Sequence, residues 1–214
     1  MTILITGANR GIGLGLKRAF EARGETVFGT TRQPEPGLVA CDVTDPASVA
    51  ALPDVLDGGP LDLLICNAGV YPDKGHRIGA GYGPQVWATA FATNVTGVFL
   101  TIEALLPALR AARGRIAILS SIMASDTRAP GGSYAYRASK AAALNLGRNL
   151  ATDLASEGIA VGIYHPGWVR TDMGGPGADI DLDTAVAGLV ARLDDLDIGR
   201  TGQFLSYDGT PIAF

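Results

Sequence analysis

The stretch that decides the fold is Thr6-Gly7-Ala8-Asn9-Arg10-Gly11-Ile12-Gly13. It follows a short apolar β-prone run, Thr2–Thr6, and leads into a helical segment read at Leu16–Arg23, with Gly24 as its stop. Glycines let a backbone turn sharply and approach a ligand closely. A helix start behind them offers free N–H groups and a positive dipole end. Strand, glycine loop and helix in that order read as a cradle for a pyrophosphate. A plain structural turn is the competing reading. The spacing is TGxxxGxG rather than GxGxxG.

Outward from that loop, short apolar runs alternate with longer helical ones. Strands are expected at Thr26–Thr31, Leu38–Cys41, Leu61–Cys66, Arg115–Ser120, Ile159–Tyr164 and Gln203–Leu205. Helices are expected at Ala47–Leu56, Val86–Ala112, Ser133–Ser156 and Thr184–Leu193. In the second of these, Trp87, Phe91, Val95, Val98, Ile102, Leu105 and Leu109 recur at helical spacing. The alternation predicts an α/β fold: one Rossmann-type doubly wound parallel sheet of about seven strands, helices on both faces. No linker or repeat divides the 214 residues, so a single domain over 1–214 is expected. Ligands of such sheets bind at the carboxyl ends of the strands. The glycine loop, Asn67-Ala68-Gly69, Ser120-Ser121 and His165-Pro166-Gly167 all follow strands and should converge there.

Composition agrees. Charged residues are 18% and apolar ones 47%, which excludes intrinsic disorder and suits strands buried on both faces. The net charge of −4, with no long basic run, argues against a nucleic-acid partner. The longest uncharged stretch, Ile78–Ile102, is broken by Gly79, Gly81, Gly83, Pro84, Gln85 and Asn94, so no membrane span is expected. No secretory leader is expected either. Cys41 and Cys66 read as reduced, buried thiols of a cytoplasmic protein, and no metal-ligand cluster is present.

Two further motifs carry chemistry. In Tyr136-Arg137-Ala138-Ser139-Lys140, a helix would place Lys140 on the face of Tyr136. Lowering a tyrosine pKa from about 10 toward 7 needs on the order of 4 kcal/mol. A nearby ammonium and a cationic nicotinamide would share that, leaving a phenol that exchanges a proton with a carbonyl or alcohol oxygen. A surface Tyr–Lys pair is the ordinary alternative. Ser120-Ser121 ends the fifth strand, and a hydroxyl there would hydrogen-bond the same oxygen or merely cap a turn. Adjacent strand residues face opposite ways, so only one serine can point at a substrate. Tyr134 is a rival to Tyr136 but lacks a lysine four residues on.

Taken together these features resemble the classical short-chain dehydrogenases/reductases over essentially the whole chain. Thr6–Gly13, with Gly7, Asn9, Arg10, Gly11, Ile12 and Gly13, matches the cofactor loop. Asp42-Val43 matches the acidic position near the adenine. Cys66-Asn67-Ala68-Gly69 resembles NNAG, with cysteine in first place. Pro166-Gly167-Trp168-Val169-Arg170-Thr171 matches the PGxVxT segment beside the nicotinamide. Asn94, Ser121, Tyr136 and Lys140 match the family's catalytic tetrad. Gly131–Lys140, His165–Gly175 and Tyr207–Thr210 look most like the C-factor branch with its small carbonyl reductases. The Ser121-to-Tyr136 spacing is about two residues longer than the family's usual value, an insertion easily absorbed in a loop.

The resemblance implies hydride transfer between NADP(H) and a carbonyl or secondary alcohol. Tyr136 would be the acid/base, Ser121 would orient the oxygen, and Lys140 would hold the ribose. Asn94 would sit in a helix distortion that relays protons through water. The likeness also implies a homodimer or homotetramer through the two long helices. Charge bears on the cofactor. The second strand ends Gly29-Thr30-Thr31-Arg32 with no acid, and Arg10 adds a second cation, which favours NADP(H). Nearby Glu35 leaves NAD(H) as the alternative. Asp172–Asp183 reads as a mobile substrate lid. The rival function is a non-enzymatic nucleotide-binding regulatory protein of C-factor type. Epimerase and dehalogenase relatives fit less well, in length and in cofactor glycines respectively.

Overall fold

The computed structural model describes Met1–Phe214. Its strands are β1 (Thr2–Ile5), β2 (Thr26–Thr31), β3 (Val39–Ala40), β4 (Leu63–Cys66), β5 (Arg115–Leu119), β6 (Ala160–His165) and β7 (Phe204–Ser206). All seven join one sheet in the order β3-β2-β1-β4-β5-β6-β7, and every pairing is parallel. The helices are α1 (Gly11–Glu21), α2 (Pro46–Ala50), α3 (Pro84–Phe91), α4 (Gly97–Ala112), α5 (Tyr134–Leu154) and α6 (Leu182–Asp194).

The central strands are mostly apolar because both faces are covered. Leu4, Leu64, Ile116 and Ile118 face α4 and α5, in a cluster with Ile102, Leu105 and Leu109. Ile3, Ile5, Leu63, Ile65 and Ala117 face α1 and α6, packing on Leu16, Phe20, Val186 and Leu189. The strand order reverses direction between β1 and β4, so the loops after these two strands part and leave a crevice.

Several boundaries depart from the sequence reading, each for a local reason. Helix α1 starts at Gly11, not Leu16. Gly11, Gly13 and Gly15 are poor helix formers, yet packing overrides propensity. At Gly13 an added Cβ would lie 2.3 Å from the Gly7 carbonyl oxygen and 2.5 Å from Asn67 Nδ2. Only a glycine lets the helix come this close to the loop. Gly7 itself sits at φ +67°, in the left-handed region. The segment expected as one helix over Ala47–Leu56 breaks at Ala51 and continues as a 3-10 turn through Pro53. The long helix expected from Val86 starts earlier, at Pro84, and is interrupted by a π turn at Ala92–Thr96. By length and composition Pro84–Ala112 is apolar enough to cross a bilayer. Here Val98, Ile102, Leu105 and Leu109 of this segment are buried against the sheet. Both cysteines are free and buried.

β6 ends in His165, whose Nδ1 is buried without a partner. Burial pushes its pKa down to about 4 from 6.5. The unfolded chain therefore takes up this proton at higher pH than the folded chain does. Stability tied to His165 is complete above about pH 6.5 and is lost as pH falls toward 4.

Two outcomes are expected. Gly13→Ala should lower unfolding free energy by about 1–3 kcal/mol, the usual cost of overpacking, as read by urea denaturation. His165→Asn should flatten the fall in urea midpoint between pH 6.5 and pH 4 relative to the wild type. Parallel curves would refute the assignment.

Candidate active site

The loop after β1 and the loop after β4 are stapled together. The Thr6 hydroxyl accepts from the amides of Asn67 (3.1 Å) and Ala68 (3.0 Å). In return the Asn67 carboxamide donates to the carbonyls of Thr6 and Gly7, both at 2.9 Å. The Ala8 amide donates to Thr30 O of β2. Beside this staple α1 begins with Arg10 in an extended conformation and no side-chain cap. Its first-turn N–H groups are thus available to an anion.

A groove of about 280 Å³ runs along these loops. Gly7, Asn9, Arg10, Gly11 and Ile12 line its middle wall, and Arg32, Asp42 and Val43 line the end beneath β2 and β3. Asn67, Ala68 and Gly69 form the floor. Tyr136, Lys140, Pro166 and Thr171 close the other end. Three expected contacts stand outside it. Gly13 lies behind the loop, Gly167 faces Ile180 and Tyr207, and Val169 is buried beside Ile180. A larger cleft of about 560 Å³ opens along β7 and α6. Its arginines are paired, Arg192 with Asp195 and Arg200 with Asp197, and it holds none of the residues expected to bind cofactor or to act in catalysis.

Ser120 also lines the groove, whereas two of the expected catalytic residues, Asn94 and Ser121, are not among its lining side chains. Asn94, 1% exposed, sits in the π turn. Its Oδ1 accepts from Val70 N, and its Nδ2 donates to Val70 O and to Ser139 Oγ, each at 2.9 Å. The Ser139 hydroxyl donates in turn to Tyr136 O at 2.8 Å. The two serines divide as alternation requires. Ser120 donates to Lys140 O at 2.9 Å, whereas the Ser121 hydroxyl accepts from Met123 N at 3.1 Å, capping a turn, and lies close enough to the Tyr136 phenol to favour its ionisation. Tyr134 is exposed and packs edge-on against Tyr82, away from Lys140.

Lys140 is buried and donates to Leu119 O at 2.8 Å. An ammonium has three protons, so further donors remain for the groove. Burial lowers its pKa to about 8. The Lys140 Nζ lies 5.8 Å from the Tyr136 ring centre. The expected fall of the Tyr136 pKa toward 7 is not produced by this chain alone. Burial pushes it up to about 12, the Ser121 hydroxyl works against that, and Tyr71 and Asp73 add to it.

Arg10 reaches Asp172 at 2.8 Å, and both partners are largely exposed. Such a contact is weak and easily exchanged. Asn9 donates to Glu35 at 3.1 Å. Asp42 is held below the usual carboxylate range by the Thr44 amide, then by the Thr44 hydroxyl and Arg32.

Two residues of the site were not singled out from sequence. Tyr71 stacks on Tyr136 with ring centres 4.1 Å apart and its hydroxyl pairs with that of Ser133. Asp73, fully buried, accepts from the amides of Ala135 and Tyr136. The only local hint was their place, just beyond Asn67-Ala68-Gly69.

Comparison with known proteins agrees with this geometry. The family model of the short chain dehydrogenases matches residues 1–179. The C-signal protein of Myxococcus xanthus is 40% identical over 159 residues, covering 72% of this chain and 93% of that protein. The 3-oxoacyl-[acyl-carrier-protein] reductase FabG of Escherichia coli (strain K12) is 32% identical over 185 residues, 79% of this chain and 74% of FabG. Among solved structures, the NADPH-bound carbonyl reductase from chicken fatty liver superposes with a TM-score of 0.88 at 31% identity, covering 100% of this chain and 98% of that one. Carbonyl reductase Sniffer of D. melanogaster gives 0.91 at 32% identity, covering 100% and 99%. With its parallel sheet, its glycine-lined groove and the match over most of its length, the chain belongs to the short-chain dehydrogenase family.

Proposed function

We propose that this chain is an NADP(H)-dependent oxidoreductase acting on a carbonyl or secondary alcohol. The observation that carries the reading is the meeting of Tyr136 and Lys140 in a groove whose wall is the uncapped start of α1, with Ser121 beside the Tyr136 phenol. The groove suits a dinucleotide: free N–H groups for the pyrophosphate at Gly11 and Ile12, and Lys140 donors for a ribose at the other end. Bound there, NADPH would supply the hydride from C4 of its nicotinamide.

The chain's own residues do the rest. Ser121 holds the substrate oxygen beside the phenol. Tyr136 keeps its proton until charge develops on that oxygen, then donates it. Lys140, buried and cationic, favours the phenolate left behind. Asn94 and Ser139 fix the turn that carries Tyr136. For the cofactor, Arg10 would exchange Asp172 for the 2′-phosphate, with Arg32 as second partner. The NADPH-bound chicken relative supports this choice. Assembly as a homodimer or homotetramer is supported by Trp87 and Phe99, both exposed on the α3–α4 flank. The reduced cysteines support a cytoplasmic setting.

The C-signal relative favours a second reading, a nucleotide-binding signalling protein without turnover. The two readings separate by experiment. Tyr136→Phe should lower NADPH-dependent reduction of aldehydes and ketones by roughly 10²–10⁴-fold, with NADPH affinity by fluorescence largely kept. Undiminished turnover would refute the role of Tyr136, and wild-type binding without turnover would favour the signalling reading. Arg10→Ala with Arg32→Ala should weaken NADPH by roughly tenfold or more while sparing NADH. Equal losses for both would refute the 2′-phosphate assignment.

A further inference from the structure

Helix α5 carries Tyr136 in its first turn, and that turn lacks a local cap. The preceding Ser133 stands at φ +52° and its hydroxyl makes no capping bond. The cap comes from 60 residues upstream. Asp73 lies in the loop after β4 with no exposed surface. Its Oδ2 accepts from Ala135 N at 2.8 Å, and Oδ1 and Oδ2 accept from Tyr136 N at 3.2 and 3.4 Å. The partners of this buried carboxylate are therefore helix N–H groups, which suit a negative charge.

We propose that Asp73 is a positioning residue for Tyr136: its carboxylate anchors the first turn of α5 to the loop after β4 and so fixes where the phenol stands in the groove. The inference rests on the oxidoreductase reading above. Neighbouring residues of the same loop make the anchor firm. Tyr71 stacks on the Tyr136 ring and its hydroxyl meets Ser133. Lys74 donates to Met173 O at 2.7 Å, tying the loop to the segment beyond β6. Asp73 thus stands where both walls of the substrate end and the acid/base residue join.

The anchor also has an electrostatic effect. The groups facing the phenol are Lys140 on its own helix, Ser121 after β5, and Tyr71 and Asp73 after β4. Of these, Tyr71 and Asp73 disfavour the phenolate, whereas the Ser121 hydroxyl favours it. A carboxylate at this point keeps the proton on Tyr136 to higher pH, the state needed to reduce a carbonyl.

The test is carbonyl reduction with NADPH by the wild type, Asp73→Asn and Asp73→Ala, with kcat and KM followed across pH and folding checked by circular dichroism. Asp73→Ala should lose kcat on the order of 10²-fold, the usual cost of a misplaced reacting group, with KM for NADPH little changed. Asp73→Asn keeps an acceptor oxygen for the two amides. It should recover most of that kcat while its alkaline limb moves to lower pH. If Asp73→Ala does not fold, Asp73→Asn carries the test alone. A folded Asp73→Ala variant with wild-type kcat, or an Asp73→Asn profile superimposed on that of an active wild type, overturns the proposal. Absence of turnover in the folded, NADPH-binding wild type instead overturns the oxidoreductase reading, and the proposal with it.

Discussion

One buried carboxamide holds the catalytic end together. Asn94 spends all of its near-neighbour bonding on two elements that the chain separates widely: both backbone groups of Val70 and the hydroxyl of Ser139. A regular α-helix through Ala92–Thr96 would carry its side chains round at a steady 3.6 residues per turn. The π turn adds a residue to that turn, a local irregularity that recurs at functional sites. Here it lies where Asn94 bridges the loop after β4 and α5. A buried amide is costly unless its partners are all present, so this junction has a single arrangement in which it is satisfied.

That rigidity sets the electrostatics of the site. Tyr136 and Lys140 lie one helical turn apart and both are buried, so desolvation acts on them in opposite senses: up for the phenol, down for the ammonium. Each is pushed toward its neutral form. The chain thus provides an acid that holds its proton and a cation near its titration range. A positive charge brought beside the phenol would move both. Proton transfer is in this way made to depend on what occupies the groove.

Much of this was legible in the residues. The glycine loop, the Tyr136–Lys140 spacing and the alternation of apolar runs are local signals, and they led to the sheet and to the crevice. Other features depend on contacts that spacing does not encode. Asp73 meets α5 across 62 positions, and no pattern in Tyr71–Pro84 marks it as a cap. The start of α1 was placed late because three glycines disguise a helix whose packing demands them. The π turn hides inside an unbroken apolar periodicity, with Asn94 as its one irregular member. A helical i,i+4 pair reports proximity but says nothing of burial, which is what sets the direction of the Tyr136 shift. Alternation leaves open which serine faces the phenol; Ser120 donates to the backbone of α5, and Ser121 caps the turn after β5 beside the Tyr136 phenol.

The start of α1 has a consequence for the lifetime of the protein. Helices α2, α5 and α6 each have a carboxylate over their first turn, from Asp45, Asp73 and Asp181. Helix α1 has none. A dinucleotide seated there would bind the folded chain and not the unfolded one. At a concentration 100 times its dissociation constant it would add about 2.7 kcal/mol of stability by mass action. Degradation that proceeds through transient opening slows in proportion. The nucleotide supply would then govern how much of this protein persists, as well as how fast it works.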